Sequence, residues 1–153
     1  MRLLLQRVRH ATVRVDDVLV GSIGEGLLAF VGIGHGDTME TALQMADRSV
    51  GLRIFRDDEG RTNRSLTDVG GALLAVSQFT LYADTRKGRR PSFLDAAPSA
   101  LGDELYRAYA DAVAAHGVRV ERGIFGAEMA VELVNDGPFT IWLDSAAGAA
   151  TTP

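Results

Sequence analysis

Residues 133–144 read LVNDGPFTIWLD, and the fold turns on how this stretch is understood. Its flanks, 131–134 and 139–143, are rich in β-branched and aromatic residues, the composition of strand. Between them stand Asp136, Gly137 and Pro138. Proline cannot donate to a sheet ladder and glycine weakens one, so the strand is interrupted. As a hairpin the interruption is odd. Asn-Asp-Gly alone would make a two-residue type I′ connection, whereas Pro138 removes a donor and fixes φ. Glycine before proline relieves the usual steric restriction, and an X-Pro bond tolerates the cis form. Two readings stand: a hairpin bend, or bare main chain held out to meet something.

Outward from this stretch, the chain alternates strand and helix signals. LLLQRVRHATVRV is strand-like, Asp16-Asp17 a turn, and VLVGSI a second strand. GEG reads as another turn and LLAFVGIG as a third, buried strand, so the opening resembles a β-meander. Asp37 and Glu40 form a capping-box-like pair, with Asp37 as N-cap. The stripe Met39, Ala42, Leu43, Ala46, Val50 follows, the spacing of an amphipathic helix. LRIF predicts a short strand and RDDEGRTNRS a polar loop. Gly70-Gly71 opens a long apolar run, ALLAVSQFTLYA. A second helix begins near Pro98, buries Leu101, Leu105, Ala108, Tyr109, Ala112 and Val113, and ends at Gly117. VRVERG and EMAVELV are further strands. The expectation is an α+β domain over residues 1–144: a mostly antiparallel, curled or barrel-like sheet with two amphipathic helices. Residues 145–153, SAAGAATTP, carry no large apolar side chain and predict a disordered tail.

The composition narrows the chemistry. At 153 residues and 46% hydrophobic, the chain suits one globular domain. The absence of cysteine excludes disulfides, thiolate metal sites and Cys nucleophiles. The opening apolar run is too short for a signal peptide or a membrane span, which predicts a cytoplasmic protein. Net charge is −4, yet Arg86, Lys87, Arg89 and Arg90 sit together with no acid among them. A basic tip on an acidic body reads either as a solubilising loop or as a contact for phosphate.

The usual catalytic signatures are missing: no G-x-S-x-G, H-E-x-x-H or P-loop pattern occurs. His10, His35 and His116 are scattered without metal-ligand spacing and read as surface or helix-end residues. No metal or cofactor is expected. What remains is Ser77-Gln78, polar residues inside an apolar run. As strand, Gln78 and Thr80 would share one face and Ser77 and Phe79 the other. Buried polar groups need partners, so these residues either bond locally at a sheet edge or meet a ligand.

At this point three segments resemble the signatures of D-aminoacyl-tRNA deacylases: VSQFTLYAD at 76–84, RRPSF at 89–93 and VNDGPFTIWLD at 134–144. QRV at 6–8 and GLRIF at 51–55 match in order and spacing, so the resemblance covers residues 1–144. It implies hydrolysis of the ester joining a D-amino acid, or glycine, to the 3′ end of tRNA, without a cofactor. It further implies a cytoplasmic homodimer in which a cis Gly-Pro of one subunit reaches the active site of the other. On that basis Gly137 and Pro138 are a chirality filter, supported by Asn135 and Arg7. Ser77, Gln78 and Phe79 line the pocket, and Thr80 matches a residue considered as nucleophile. The alternative is that the tRNA 2′-OH assists, which no His or Lys beside Thr80 contradicts. Phe139 departs from the family, where a smaller aliphatic residue is common. The basic residues 86–90 would meet acceptor-end phosphates, independent of sequence.

Two other functions fit the residues without the resemblance. One is a non-catalytic RNA-binding module that uses the basic loop. The other is a small serine or threonine esterase, which would lose activity with Ser77→Ala or Thr80→Ala.

Overall fold

A computed structural model describes residues 1–148. Strand β1, Arg2–Val15, turns through Asp16 and Asp17 into β2, Val18–Ile23. Both turn residues have positive φ, 48° and 63°, as a type I′ connection requires. The next expected turn is not one. Strand β3, Gly26–Gly32, also pairs with β1, and Ala11 faces Ile23 just as Leu3 faces Val31. The register is the same on both sides of Gly24-Glu25, so β2 and β3 are two halves of one long partner of β1. The meander is therefore replaced by a single extended hairpin with a break in one arm.

Helix α1, Met39–Gly51, carries the chain from β3 past a small hairpin, β4 Phe55–Arg56 and β5 Thr62–Arg64, to β6, Ala72–Ser77. Helix α2, Ser99–Ala115, then leads to β7, Arg119–Arg122. Strand β6 pairs parallel with β3 and β7 parallel with β6, the pairings that helical crossovers permit. Strand β8, Ala130–Asp144, lies antiparallel along the remaining side of β1. The domain is thus α+β and mostly antiparallel, as expected, with two parallel pairings added.

Two cores explain why β3 and β6 are apolar on both faces. Leu27, Ala29, Leu73 and Ala75 pack with Met45, Leu105 and Tyr109 beneath the helices. Leu28, Leu74 and Val76 pack with Val8, Ala11, Val13 and Ile23 in the second core. Strand β1 serves both, Leu3 and Leu5 on one side and Ala11 and Val13 on the other. It changes phase where its pairing with β8 is irregular, between Gln6 and His10.

The helix boundaries hold better than their faces. Thr38, not Asp37, caps α1 and forms a box with Thr41. Met39 and Leu43, expected in the core, are 46% and 48% exposed, while Met45 and Ser49 are buried. Ser49 can be buried because its hydroxyl donates to the Met45 carbonyl at 2.8 Å and accepts from Tyr109 at 3.0 Å. In α2, Leu105, Tyr109 and Val113 are buried as expected, together with Tyr106 and Ala110, whereas Leu101, Ala108 and Ala112 are only half-buried. Gly117 follows the helix with φ 80°. The run from Ala72 is strand only to Ser77. Beyond it lies a 3-10 turn, Phe79–Tyr82, so the expected sharing of strand faces by Gln78 with Thr80 and Ser77 with Phe79 does not occur. Strand β7 ends opposite Ala75, at Arg122, and offers no ladder to continue.

Past residue 144 the chain stays beside the N-terminus. The Ser145 N–H donates to the Met1 carbonyl at 2.9 Å and a short 3-10 turn spans Ala146–Gly148. Residues 149–153 of the expected tail lie outside the described residues. No helix among those described is long and apolar enough to cross a membrane.

Gly26 is fixed by close approach. A Cβ there would fall 1.9 Å from the Ala72 carbonyl oxygen, whereas one at Gly24 meets nothing within 4 Å. Gly26→Ala should cost about 1–3 kcal/mol or more by forcing β3 from β6, and Gly24→Ala close to nothing. Urea denaturation of the two variants checks the difference.

Candidate active site

The interruption at Gly137-Pro138 is not a hairpin. Residues on both sides of it pair with the same strand in the same direction: Val8 faces Asn135 and Gln6 faces Thr140. Two steps along β1 correspond to five along β8, so the extra residues bulge out of the ladder. The Gly137-Pro138 bond is cis, both residues are exposed, and a Cβ on Gly137 would meet nothing within 4 Å. This is bare main chain at the surface.

Arg7 holds the bulge from below. It is 2% exposed, an unusual position for a guanidinium, and each of its three nitrogens has a partner. Nε approaches the Asp136 carbonyl at 3.2 Å and its carboxylate at 2.7 Å, and Nη2 donates to the Gly137 carbonyl at 3.3 Å. Nη1 donates to the Ile54 carbonyl, and the Phe139 ring centroid lies 4.5 Å from the guanidinium carbon. The Asn135 amide donates across the base of the bulge, to the carbonyls of Arg7 at 2.8 Å and Phe139 at 3.2 Å. Phe139 thus packs on Arg7.

Ser77, Gln78 and Phe79 meet elsewhere. They line a cavity of about 580 Å³ at the end of β6. Its walls include Val31 of β3 and Ile33 after it, Phe93, Ala96 and Ala97, the first turns of α2 at Ser99 and Gly102, and the segment from Phe125 to Met129. Two glycines shape it. A Cβ at Gly102 would crowd the Phe125 ring at 3.1 Å, and one at Gly123 would strike the Met129 sulfur at 2.4 Å. The Tyr106 hydroxyl donates to the Ala75 carbonyl at 2.8 Å and ties α2 to β6 just below the cavity. Burial pushes that phenol up to about 12, so it stays a donor. Thr80 does not line the cavity. Its hydroxyl pairs with the Gln78 amide, and a carboxamide is no base.

The basic loop stands beside the cavity. Asp84 and Ser92 exchange both main-chain bonds, at 2.7 and 2.9 Å, and close residues 85–91 into a loop. Phe93, one residue on, packs edge-to-face on Phe79 with centroids 5.0 Å apart. Arg86 is not free: Nε and Nη2 each reach Asp84 at 2.8 Å. That pairing holds the Asp84 carboxyl down at about 2. Lys87, Arg89 and Arg90 are exposed and make no ion pair among the described residues.

The site residues expected from sequence therefore form three groups: Ser77-Gln78-Phe79 at the cavity, Arg7, Asn135, Gly137 and Pro138 at the bulge, and the basic loop. Neither Gly137 nor Pro138 lines the cavity of its own chain. Sequence reasoning missed Phe93, Gly102, Phe125 and Met129. The signals of close approach were Gly102 against Phe125 and Gly123 against Met129. The histidines read as expected: His10 is exposed, His35 bonds the Leu94 carbonyl, and His116 pairs with Asp47 after α2.

Fold and cavity together define an α+β domain with an open cavity, a main-chain bulge on one strand and a cationic loop at the cavity rim. Residues 4–144 match the family model described as D-Tyr-tRNA(Tyr) deacylase, and the chain belongs to that family. A D-aminoacyl-tRNA deacylase of Thermomicrobium roseum is 60% identical over 95% of both chains. One of Roseiflexus castenholzii is 58% identical, covering 95% of this chain and 93% of its own. A solved c-Myc DNA unwinding element binding protein superposes with a TM-score of 0.88 at 34% identity, covering 94% of this chain and 98% of that one. A probable eukaryotic D-amino acid tRNA deacylase, at 22% identity and a TM-score of 0.81, shares the fold over 93% of this chain and 97% of its own.

Arg7→Leu should destabilise the protein by about 1–3 kcal/mol, because the carbonyls of Ile54, Asp136 and Gly137 lose their donor, and that of Ile54 is left buried without one. Arg7→Lys should recover only part of this, since an ammonium cannot span the same acceptors. Chemical denaturation of both variants measures it.

Proposed function

We propose that this chain hydrolyses the ester bond of D-aminoacyl-tRNA, and of glycyl-tRNA, to free amino acid and tRNA while rejecting L-aminoacyl-tRNA. The observation that carries the reading is the separation of two elements. Ser77, Gln78 and Phe79 line a cavity, while an exposed main-chain bulge stands outside that cavity's lining. A wall without side chains is suited to a test at one carbon, because D- and L-aminoacyl groups differ only by exchange of hydrogen and side chain there. Main chain against that carbon leaves room for hydrogen and nothing larger, whatever the amino acid.

In this reading the protein works as a cytoplasmic homodimer, and Gly137 and Pro138 of one subunit close the cavity of the other. A two-fold axis presents such a bulge twice. The substrate ester lies against Ser77, Gln78 and Phe79, where main-chain N–H groups stabilise the negative charge that develops on its carbonyl oxygen. The amide partner of Thr80 argues against a threonine nucleophile, so the vicinal 2′-OH of the tRNA assists the attack of water. Lys87, Arg89 and Arg90 meet acceptor-end phosphates, and Arg86 chiefly shapes the loop through Asp84.

Glycine separates exclusion from side-chain recognition. Glycyl-tRNA should be hydrolysed within about tenfold of D-alanyl-tRNA, a barrier difference of about 1.4 kcal/mol or less. L-alanyl-tRNA should be slower by several decades. Single-turnover deacylation of the three substrates decides it, and glycine behaving like L-alanine would mean that the D side chain is recognised instead.

Neutralising Lys87, Arg89 and Arg90 should flatten the salt dependence of tRNA binding by about 0.7–0.9 per lost contact. Neutralising Arg86 alone should change it least, and D/L selectivity should survive in both cases. Titrations of tRNA binding across a salt series measure the slopes.

A further inference from the structure

The 3-10 turn after Ser77 is a partition. Gln78 and Phe79, at its start, line the cavity described above. Tyr82, at its end, lines a second, polar cavity of about 460 Å³ together with Arg2 and Asp37. The Gln78 N–H donates to the Val31 carbonyl of β3 at 2.8 Å, but beyond it the turn's main-chain N–H groups make only short-range bonds: Leu81 N–H to the Gln78 carbonyl at 3.2 Å and Ala83 N–H to that of Thr80 at 3.0 Å. A single turn of this kind is marginal alone and needs outside support.

That support comes from the second cavity. The Tyr82 hydroxyl donates to an Asp37 carboxylate oxygen at 3.3 Å. The same carboxylate accepts from the Gly34 N–H at 2.7 Å and from the Ser145 hydroxyl at 3.4 Å and pairs with the Met1 amino group, so it is already anchored at three points. Arg2 stacks its guanidinium 4.4 Å from the centre of the Tyr82 ring and donates from Nη1 to the Leu81 carbonyl at 3.0 Å. Room for this contact is cleared by glycine. A Cβ at Gly34 would lie 2.6 Å from the Tyr82 hydroxyl, and one at Gly32 would press on Leu81 at 3.1 Å. Burial, with Asp37 beside it, raises the phenol's pKa and keeps it a donor.

We propose that Tyr82 is a positioning residue for hydrolysis: by clamping the far end of the turn to Asp37 and Arg2, it sets where Gln78 and Phe79 stand at the cavity. The inference rests on the reading of that cavity as the active site. Tyr82 touches no substrate in this account. It acts through the turn.

Tyr82→Ala and Tyr82→Phe, each compared with the wild-type protein, test it by two independent readouts. The first is amide hydrogen exchange, which does not depend on activity. In Tyr82→Ala the Leu81 and Ala83 amides should exchange at least about tenfold faster while the β3 amides stay unchanged, the signature of local opening. The second is saturation kinetics of D-aminoacyl-tRNA deacylation. Here kcat should fall by about 10–100-fold with KM within about threefold, since misplacement of reacting groups acts on the chemical step. Tyr82→Phe keeps the ring under Arg2 but loses the bond to Asp37, and should fall between Tyr82→Ala and the wild type in both. Unchanged exchange at Leu81 and Ala83 would overturn the proposal. So would faster exchange with kcat unchanged in an active protein. Absence of deacylation by the wild type would instead refute the reading of the cavity as an active site, and the positioning of catalysis by Tyr82 with it. The exchange data would still show whether Tyr82 holds the turn.

Discussion

The constraint on which the rest depends is that one strand, β1, is shared. It pairs with the β2–β3 arm on one side and with β8 on the other, along nearly its whole length. Both flanks of Gly137-Pro138 are therefore pinned to the same continuous ladder, and the surplus residues have nowhere to go but outward. The strand also supplies what stabilises the excursion. Arg7 lies in the ladder at the point of mismatch, buried, with donors aimed at the carbonyls that the bulge has taken out of pairing. A buried cation is retained here because the Asp136 carboxylate offsets its charge and its other acceptors are main-chain carbonyls, which no neighbouring hydrophobic residue could satisfy.

The same economy of strands places the cavity. Parallel pairing of β6 between β3 and β7 brings the carboxyl ends of β3 and β6 together, and β7 stops short. The chain leaving Ser77 loses its ladder and coils into the 3-10 turn, which opens space beside the first turns of α2. Aromatic contact between Phe79 and Phe93 then fastens the basic loop to the rim. A neutral, mostly apolar cavity and a cationic edge are thus neighbours. That suits a substrate with a compact reacting end and a charged tail.

Much of this was legible in the sequence. The α+β class, both helices, the Asp16-Asp17 turn and the Gly117 stop follow from local rules that the structure obeys. The Gly-Pro stretch could be posed as a choice between bend and exposed main chain, but not settled, because a bulge is defined by the partner strand. For the same reason GEG read as a turn: only the common register against β1 reveals one arm. Asp37 reads as a cap because a sequence does not show that its carboxylate is claimed by Gly34, Tyr82 and the Met1 amino group. Met39 and Leu43 misled because the α1 face is rotated toward Met45 and Ser49, whose hydroxyl is satisfied within the core. Polarity was a poor guide to burial wherever a partner came from a distant element, as with Arg7. The family resemblance gave the function; geometry then explains how the pieces are held.

The central claim is that the bulge of one subunit serves the cavity of another, and mixed dimers test it most directly. One variant carries Gln78→Ala and Phe79→Ala with its bulge intact. The other carries Gly137→Ala and Pro138→Ala with its cavity intact. Each is to be assayed alone and after refolding together, with D- and L-aminoacyl-tRNA. If the bulge acts across the two-fold axis, a mixed dimer holds one complete site, and an equal mixture should regain about a quarter of the wild-type D-selective activity. If the mixture does no better than the average of the two variants alone, the bulge acts within its own chain or not at all, and the account is wrong.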